Sequence, residues 1–138
     1  MPSYYFDSSA MVKRYLAEPG SESVQALLGE ADEVTVSELL VPELISTFKR
    51  NVRDGLLDER KYQALKSALQ EDLREVAMQP IDGGTIAKAI SCLEGAILQG
   101  CDSIHVATAL QNSCDLFVSA DQQQIRAAKK LGLAVKAV

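Results

Sequence analysis

Apolar residues follow two rhythms along this chain, one of about 3.6 residues and one of two, and the switches between them divide it into alternating helices and strands. Tyr4-Tyr5-Phe6 is a short aromatic run that ends on Asp7, and it predicts a first strand. Ser8-Ser9 then precedes a helical pattern over Ala10–Leu16, which Glu18-Pro19-Gly20 stops. Ser21 to Ala31 carries Val24, Leu27 and Leu28 at helical spacing, and Val34-Thr35-Val36-Ser37 is a short β-branched strand. From Glu38 to Asp54, Leu40, Val41, Leu44, Ile45, Phe48 and Val52 share one side of an amphipathic helix that Gly55 ends. Pro42 sits early in it, so either the first turn is irregular or the regular helix starts there. Asp58 to Leu73 is the next helix, with Tyr62, Leu65, Leu69 and Leu73 on one stripe.

A strand follows at Val76–Ile81, with Pro80 marking its end or a sheet edge. Asp82–Gln99 is helical, with Gly100 as its stop, and Asp102–Gln111 is a further helix. Leu116–Ser119 is an apolar strand, Asp121–Leu131 a helix closed by Gly132, and Leu133–Val138 a last strand. Strands separated by helices imply an α/β fold: a central parallel sheet of about five strands with helices on both faces. The 138 residues are expected to form one domain, 1–138, large enough to bury a core without staples. With no Trp, that core is built from Leu, Val, Ile and Ala.

Composition narrows the function only slightly. Cys92, Cys101 and Cys114 are odd in number and form no C-x-x-C pair, so they are expected to be reduced, small apolar residues in a cytoplasmic protein. The N-terminus has no basic, then apolar, leader pattern, and no apolar run reaches the ~20 residues that cross a bilayer, so no membrane partner is expected. A net charge of −5 argues at first against nucleic acid. Four acids gathered in a metal pocket would leave 15 acids against 14 bases elsewhere, so charge decides nothing.

In open parallel sheets, function sits at the carboxyl ends of strands. Asp7 and Asp121 lie at or just past the ends of predicted strands. Phosphodiester cleavage needs an acidified water and stabilisation of charge on phosphate and leaving oxygen, which hard divalent cations supply. Converging carboxylates without a His or Cys cluster favour Mg²⁺ or Mn²⁺ over zinc.

The chain resembles the PIN-domain family, and within it the VapC-like toxin ribonucleases of toxin–antitoxin pairs. The resemblance spans essentially the whole chain. It is carried by Tyr5-Phe6-Asp7-Ser8-Ser9-Ala10-Met11-Val12-Lys13, Glu18-Pro19-Gly20-Ser21, Val36-Ser37 with Pro42-Glu43-Leu44, Cys101-Asp102-Ser103-Ile104-His105-Val106-Ala107-Thr108-Ala109, and Asp115-Leu116-Phe117-Val118-Ser119-Ala120-Asp121. Each motif alone is weak; together, in this order and spacing, they are specific. The resemblance implies a Mg²⁺- or Mn²⁺-dependent endoribonuclease acting on RNA, with Asp7, Glu43, Asp102 and Asp121 as metal-holding and catalytic acids. It also implies supporting hydroxyls at Ser8, Ser9 and Ser119, and a cognate antitoxin protein as partner.

Each residue also has a plainer role. Asp7, Asp102 and Asp121 stand where acids cap helices or meet their dipoles. Glu43 lies off the apolar stripe, where a glutamate is usually solvated. His105, the only histidine, lies three residues after Asp102 and is expected to pack, with a ligand or base role as the alternative. Asp115 is expected to cap or turn the chain. Lys49, Arg50 and Arg53 cluster beside Glu43, either for solubility or as RNA contacts. The stripe Tyr62, Leu65, Leu69 and Leu73, with the preceding helix, offers apolar surface expected to pair two copies as a two-fold homodimer, the alternative being that the monomer's own core consumes it.

Two other classes compete. A phosphotransfer receiver wants an acid pair at the first strand, and an aspartyl phosphatase wants Asp two residues after the first, where Ser9 stands. No G-x-G-x-x-G follows the first strand, which argues against a dinucleotide site. A catalytically weak RNA- or protein-binding module on the same fold is the remaining alternative.

Overall fold

The computed structural model describes residues 2–138. Five strands, β1 (Ser3–Phe6), β2 (Glu33–Ser37), β3 (Ala77–Gln79), β4 (Leu116–Ser119) and β5 (Val135–Ala137), form one sheet in the order β3-β2-β1-β4-β5. All four pairings are parallel. Seven helices connect them among the described residues: α1 (Ser8–Tyr15), α2 (Ser21–Glu30), α3 (Leu40–Arg53), α4 (Glu59–Asp72), α5 (Gly83–Gly95), α6 (Gly100–Gln111) and α7 (Gln122–Lys130).

The central strand shows why both faces are covered. Tyr4 and Phe6 join a cluster with Met11, Val24, Leu44 and Phe48, whereas Tyr5 joins another with Ala89, Val106 and Phe117. Successive side chains on a strand point to opposite faces, so an unbroken apolar run requires two cores. Helices α1 to α4 supply the first and α5 to α7 the second. Each fully buried Leu or Phe contributes about 1.5–3 kcal/mol of transfer free energy.

The chain winds outward from β1 through β2 to β3, then returns to β4 on the other side of β1. The strand order therefore reverses between β1 and β4. Loops leave in opposite directions at such a point and open a crevice at the carboxyl ends of the strands.

Pro42 occupies the third helical position of α3. Its missing N–H costs nothing there, because first-turn amides have no partner within the helix. Buried Leu40, Leu44 and Phe48 recur every four residues and fix the rotation of α3, which leaves Glu43 at the rim of the core. Two expectations fail. Gly100 does not stop α5, which ends at Gly95; Gly100 instead opens α6, after an extended link over 96–99. Glycine breaks either end of a helix, and the pattern did not separate two helices so close in sequence. Cys101 is exposed, although Cys92 and Cys114 are buried and all three are free.

The α4 stripe is not a free surface. Tyr62 and Leu69 are buried in the first core, with Leu65 and Leu73 packed against it. The face expected to pair two copies is consumed within the monomer.

Candidate metal and nuclease site

The strand ends build the site. β1 delivers Asp7, whose side chain is 1% exposed. One oxygen, Oδ1, caps α1 by accepting from Ala10 N (2.9 Å) and also accepts from Ser9 Oγ (2.7 Å). The other, Oδ2, accepts from Ser119 Oγ at the end of β4. The bond spans the switch point between β1 and β4. Capping and the strand-end position are thus combined in one residue.

Around it, the hydroxyls expected from the resemblance divide their work. Ser9 serves Asp7, lies 3.3 Å from Ser119 Oγ, and accepts from Ala120 N. Ser119 accepts from Asp121 N, and Asp121 Oδ1 caps α7 by accepting from Gln124 N. Ser8 turns the other way and donates to Glu43 Oε1 at 2.6 Å. Glu43, in the first turn of α3, is not a solvated glutamate, since the same oxygen lies 2.6 Å from His105 Nε2. Asp102 sits in the first turn of α6.

The electrostatics follow from burial and from a shortage of cations. Burial pushes the Asp7 carboxyl above its ordinary range, and the bonds from Ser119 and Ser9 with the nearby His105 only partly oppose it. Burial likewise raises Asp102, and the charges of Asp121, Asp7 and Glu43 raise it further. Asp102 therefore lies within reach of the fields of all three other acids. At Glu43 burial also pushes upward, but the hydrogen bonds from His105 and Ser8 outweigh it and the carboxyl ends below its ordinary value. Among the described residues, none of the ion pairs joins Lys or Arg to any of the four.

Among the described residues, no three His, Cys, Asp or Glu side chains converge closely enough to ligate one ion directly. The donors present are carboxylate oxygens, with the one histidine already engaged by Glu43, which is the oxygen chemistry a hard ion such as Mg²⁺ takes. A bare tetrahedral zinc would need a closer set.

Sequence reasoning undervalued two residues. His105 is buried, as packing predicts, but both its ring nitrogens are engaged, with Tyr5 Oη 2.6 Å from Nδ1. Tyr5 is fully buried, and a buried phenol must find a partner, which was the available signal. Asp115 serves the turn before β4, accepting from Ser3 N. A groove of about 950 Å³ opens beside Glu43, lined by Ser8, Ser9, Ser46, Thr47 and Arg50 among others, and none of the three aspartates lines it. Of the three expected basic contacts only Arg50 lines it; Lys49 instead lies over the Tyr62 ring at 4.7 Å and 3.9 Å from Glu59.

The model of the PIN domain matches residues 4–130. Ribonuclease VapC45 of Mycobacterium tuberculosis is 30% identical over 112 residues, covering 80% of this chain and 76% of that protein. Among solved structures, FitAcB from Neisseria gonorrhoeae superposes with a TM-score of 0.71 at 22% identity, covering 96% of this chain and 95% of its own. A toxin–antitoxin complex from Klebsiella pneumoniae superposes at 0.72 with 13% identity, covering 97% and 96%. These structural likenesses are likenesses of fold.

Proposed function

The chain belongs to the PIN-domain family, and on that premise we propose that it is a metal-dependent endoribonuclease, the toxin of a toxin–antitoxin pair, working in the cytoplasm as one nuclease domain over residues 1–138. One observation carries the assignment. Among the described residues Asp7, buried at the switch point, has no Lys or Arg ion pair, and its charge reaches Asp102 together with those of Glu43 and Asp121. A buried carboxylate short of a cation either takes up a proton or receives a counter-ion, and a bound cation is the reading we propose.

The four acids would hold Mg²⁺ or Mn²⁺, which when bound acidifies water and stabilises charge on the scissile phosphate. The rest is done by the chain. Ser9 and Ser119 hold the two oxygens of Asp7, and Ser8 with His105 fixes Glu43. Arg50, on the groove wall, offers a planar cation to the RNA backbone. An antitoxin is the proposed protein partner, supported by the likeness to a toxin–antitoxin complex. No helix among the described residues is long and apolar enough to cross a membrane. The proposed homodimer uses exposed Ile86, Ile90, Leu93 and Ile97, which lie along and just past α5. Light scattering that finds only monomer at high concentration would end that part of the proposal.

A binding module on the same fold is the second reading, favoured by the absence of three directly converging donors among the described residues. RNA cleavage by purified protein, with Mn²⁺ or with excess EDTA, separates the two. Cleavage with Mn²⁺ that EDTA abolishes is expected. Equal cleavage in EDTA would sink the metal mechanism, and none in either would favour the module.

A further inference from the structure

A line of hydrogen bonds runs from the second core into the acid pocket. Tyr5 is fully buried, its ring stacked on Phe117 with centroids 5.4 Å apart. Its phenol oxygen lies 2.6 Å from His105 Nδ1, and His105 Nε2 lies 2.6 Å from Glu43 Oε1. Three elements, β1, α6 and α3, are tied together by one histidine that is 2% exposed.

The direction of the protons follows from the partners. A fully buried phenol has no water to stabilise a phenolate, so Tyr5 is the donor of this pair. Among the described residues its one hydrogen-bond partner is His105 Nδ1, so the phenol proton goes there. With Nδ1 accepting, the ring proton sits on Nε2 and points at the Glu43 carboxylate. The opposite tautomer would set a nitrogen lone pair against a carboxylate oxygen at 2.6 Å.

We propose that Tyr5 and His105 are positioning residues that present Glu43 to the cation. The Nε2–H and the Ser8 hydroxyl both bind Oε1, and Oε2 has no hydrogen-bond partner among the described residues. A glutamate has three side-chain rotors, and tying one oxygen holds the other at a fixed place at the pocket rim. Tyr5 acts at one remove, by fixing which histidine nitrogen donates. Outer partners of this kind govern ligand orientation, and their loss costs about 10–100-fold in metal affinity. This rests on the reading that Glu43 holds the ion.

The test is calorimetric titration of Mn²⁺ alone into metal-free wild type, Tyr5→Phe, His105→Met, His105→Gln and Glu43→Gln, with melting in EDTA recorded for each. Tyr5→Phe and His105→Met are expected to weaken Mn²⁺ binding about 10-fold. His105→Gln, whose amide N–H can reach Oε1, is expected to recover most of it. A merely structural role would lower the melting temperature and leave Mn²⁺ affinity unmoved, which overturns the proposal. If Glu43→Gln binds Mn²⁺ as wild type does, the metal assignment of Glu43 fails and the positioning role falls with it. If Glu43→Gln weakens binding and the Tyr5 and His105 variants do not, only the positioning role fails. Because His105 is the only histidine, nitrogen-15 spectra of unmodified protein report its tautomer directly. A protonated Nε2 with an accepting Nδ1 supports the proposal, and a proton on Nδ1 overturns it whether or not any variant folds.

Discussion

Asp72 and Asp7 are the same side chain in opposite circumstances. Asp72, at the end of α4, accepts from Arg14 Nε (2.7 Å), Arg14 Nη2 (3.0 Å) and Tyr15 Oη (2.7 Å). Burial pushes its carboxyl up, but Arg14 and Tyr15 outweigh that and hold it below its ordinary value. Asp7 also accepts three hydrogen bonds, from Ser119, Ser9 and the Ala10 amide, yet burial wins and its carboxyl rises. Asp7 is also the more deeply buried, so three neutral donors fail against its larger desolvation where a guanidinium and a phenol outweigh the smaller one at partly exposed Asp72. The first aspartate is complete within the protein, and the second is electrostatically short of a cation.

The largest expected effect comes from removing the charge at the incomplete site. Asp7→Asn should lower RNA cleavage in saturating Mn²⁺ by about 100-fold or more, since a direct ligand matters at least as much as its outer partners. Its melting temperature in EDTA should stay level or rise. Asn still accepts from the Ala10 amide and so still caps α1, while Ser119 can turn its proton toward Ser9, 3.3 Å away. Full cleavage by this variant would make Asp7 a cap and nothing more.

Breaking the complete site should do the reverse. Asp72→Asn should cost about 1 kcal/mol near neutral pH, a partly exposed bidentate pair discounted for solvent, with cleavage unchanged. The pH dependences should also differ in sign. Asp72 has a lowered folded pKa, so its stabilisation is present above the ordinary carboxylate value and is lost as pH falls through the lower folded value. Asp7 and Asp102 are raised, so their cost is present at neutral pH and is relieved as pH falls through their folded values, above the ordinary one. Melting curves in EDTA between neutral pH and about pH 3 should show Asp72→Asn converging on wild type only at the acid end. Asp7→Asn should converge earlier. Parallel curves for both variants would erase the contrast.

How much of this was legible depends on whether the cause was local. The alternation of 3.6- and 2-residue periods predicted the strands and the parallel sheet, because Tyr4-Tyr5-Phe6 can be unbrokenly apolar only between two layers. The strand-end positions of Asp7 and Asp121 were also visible, since they follow directly from where β1 and β4 stop. Glu43 was visible only through the family resemblance, because its helical wheel position describes a surface and its partners, Ser8 and His105, come from other elements. The fate of the α4 stripe was hidden for the same reason: periodicity shows that Tyr62 and Leu69 need a cover and does not say which chain supplies it. The boundary between α5 and α6 failed because glycine marks either end of a helix.

The smallest effect tests the same contrast among cations. On α3, Arg50 follows Glu43 by seven residues, two turns along, and so returns to nearly the same side of the helix, whereas Lys49 falls short of Glu43's side by about 120°. The partners agree. Arg50 lines the groove with Glu43 and Ser46. Lys49 is already occupied, over Tyr62 and near Glu59. If RNA runs along that groove, Arg50 meets a phosphate and Lys49 does not. Arg50→Ala should therefore raise KM several-fold with kcat nearly constant, and should lower the salt dependence of binding by about one counter-ion. Lys49→Ala should leave cleavage and its salt dependence alone and cost no more than about 0.5–1 kcal/mol of stability from the lost cation–π contact. The measurements are initial rates against RNA concentration at two or more salt concentrations, with melting temperatures alongside. An equal rise of KM in both variants would mean that the whole basic face attracts RNA without a defined path. A change confined to Lys49→Ala would place the RNA on the other side of α3 and remove the groove from the proposed route.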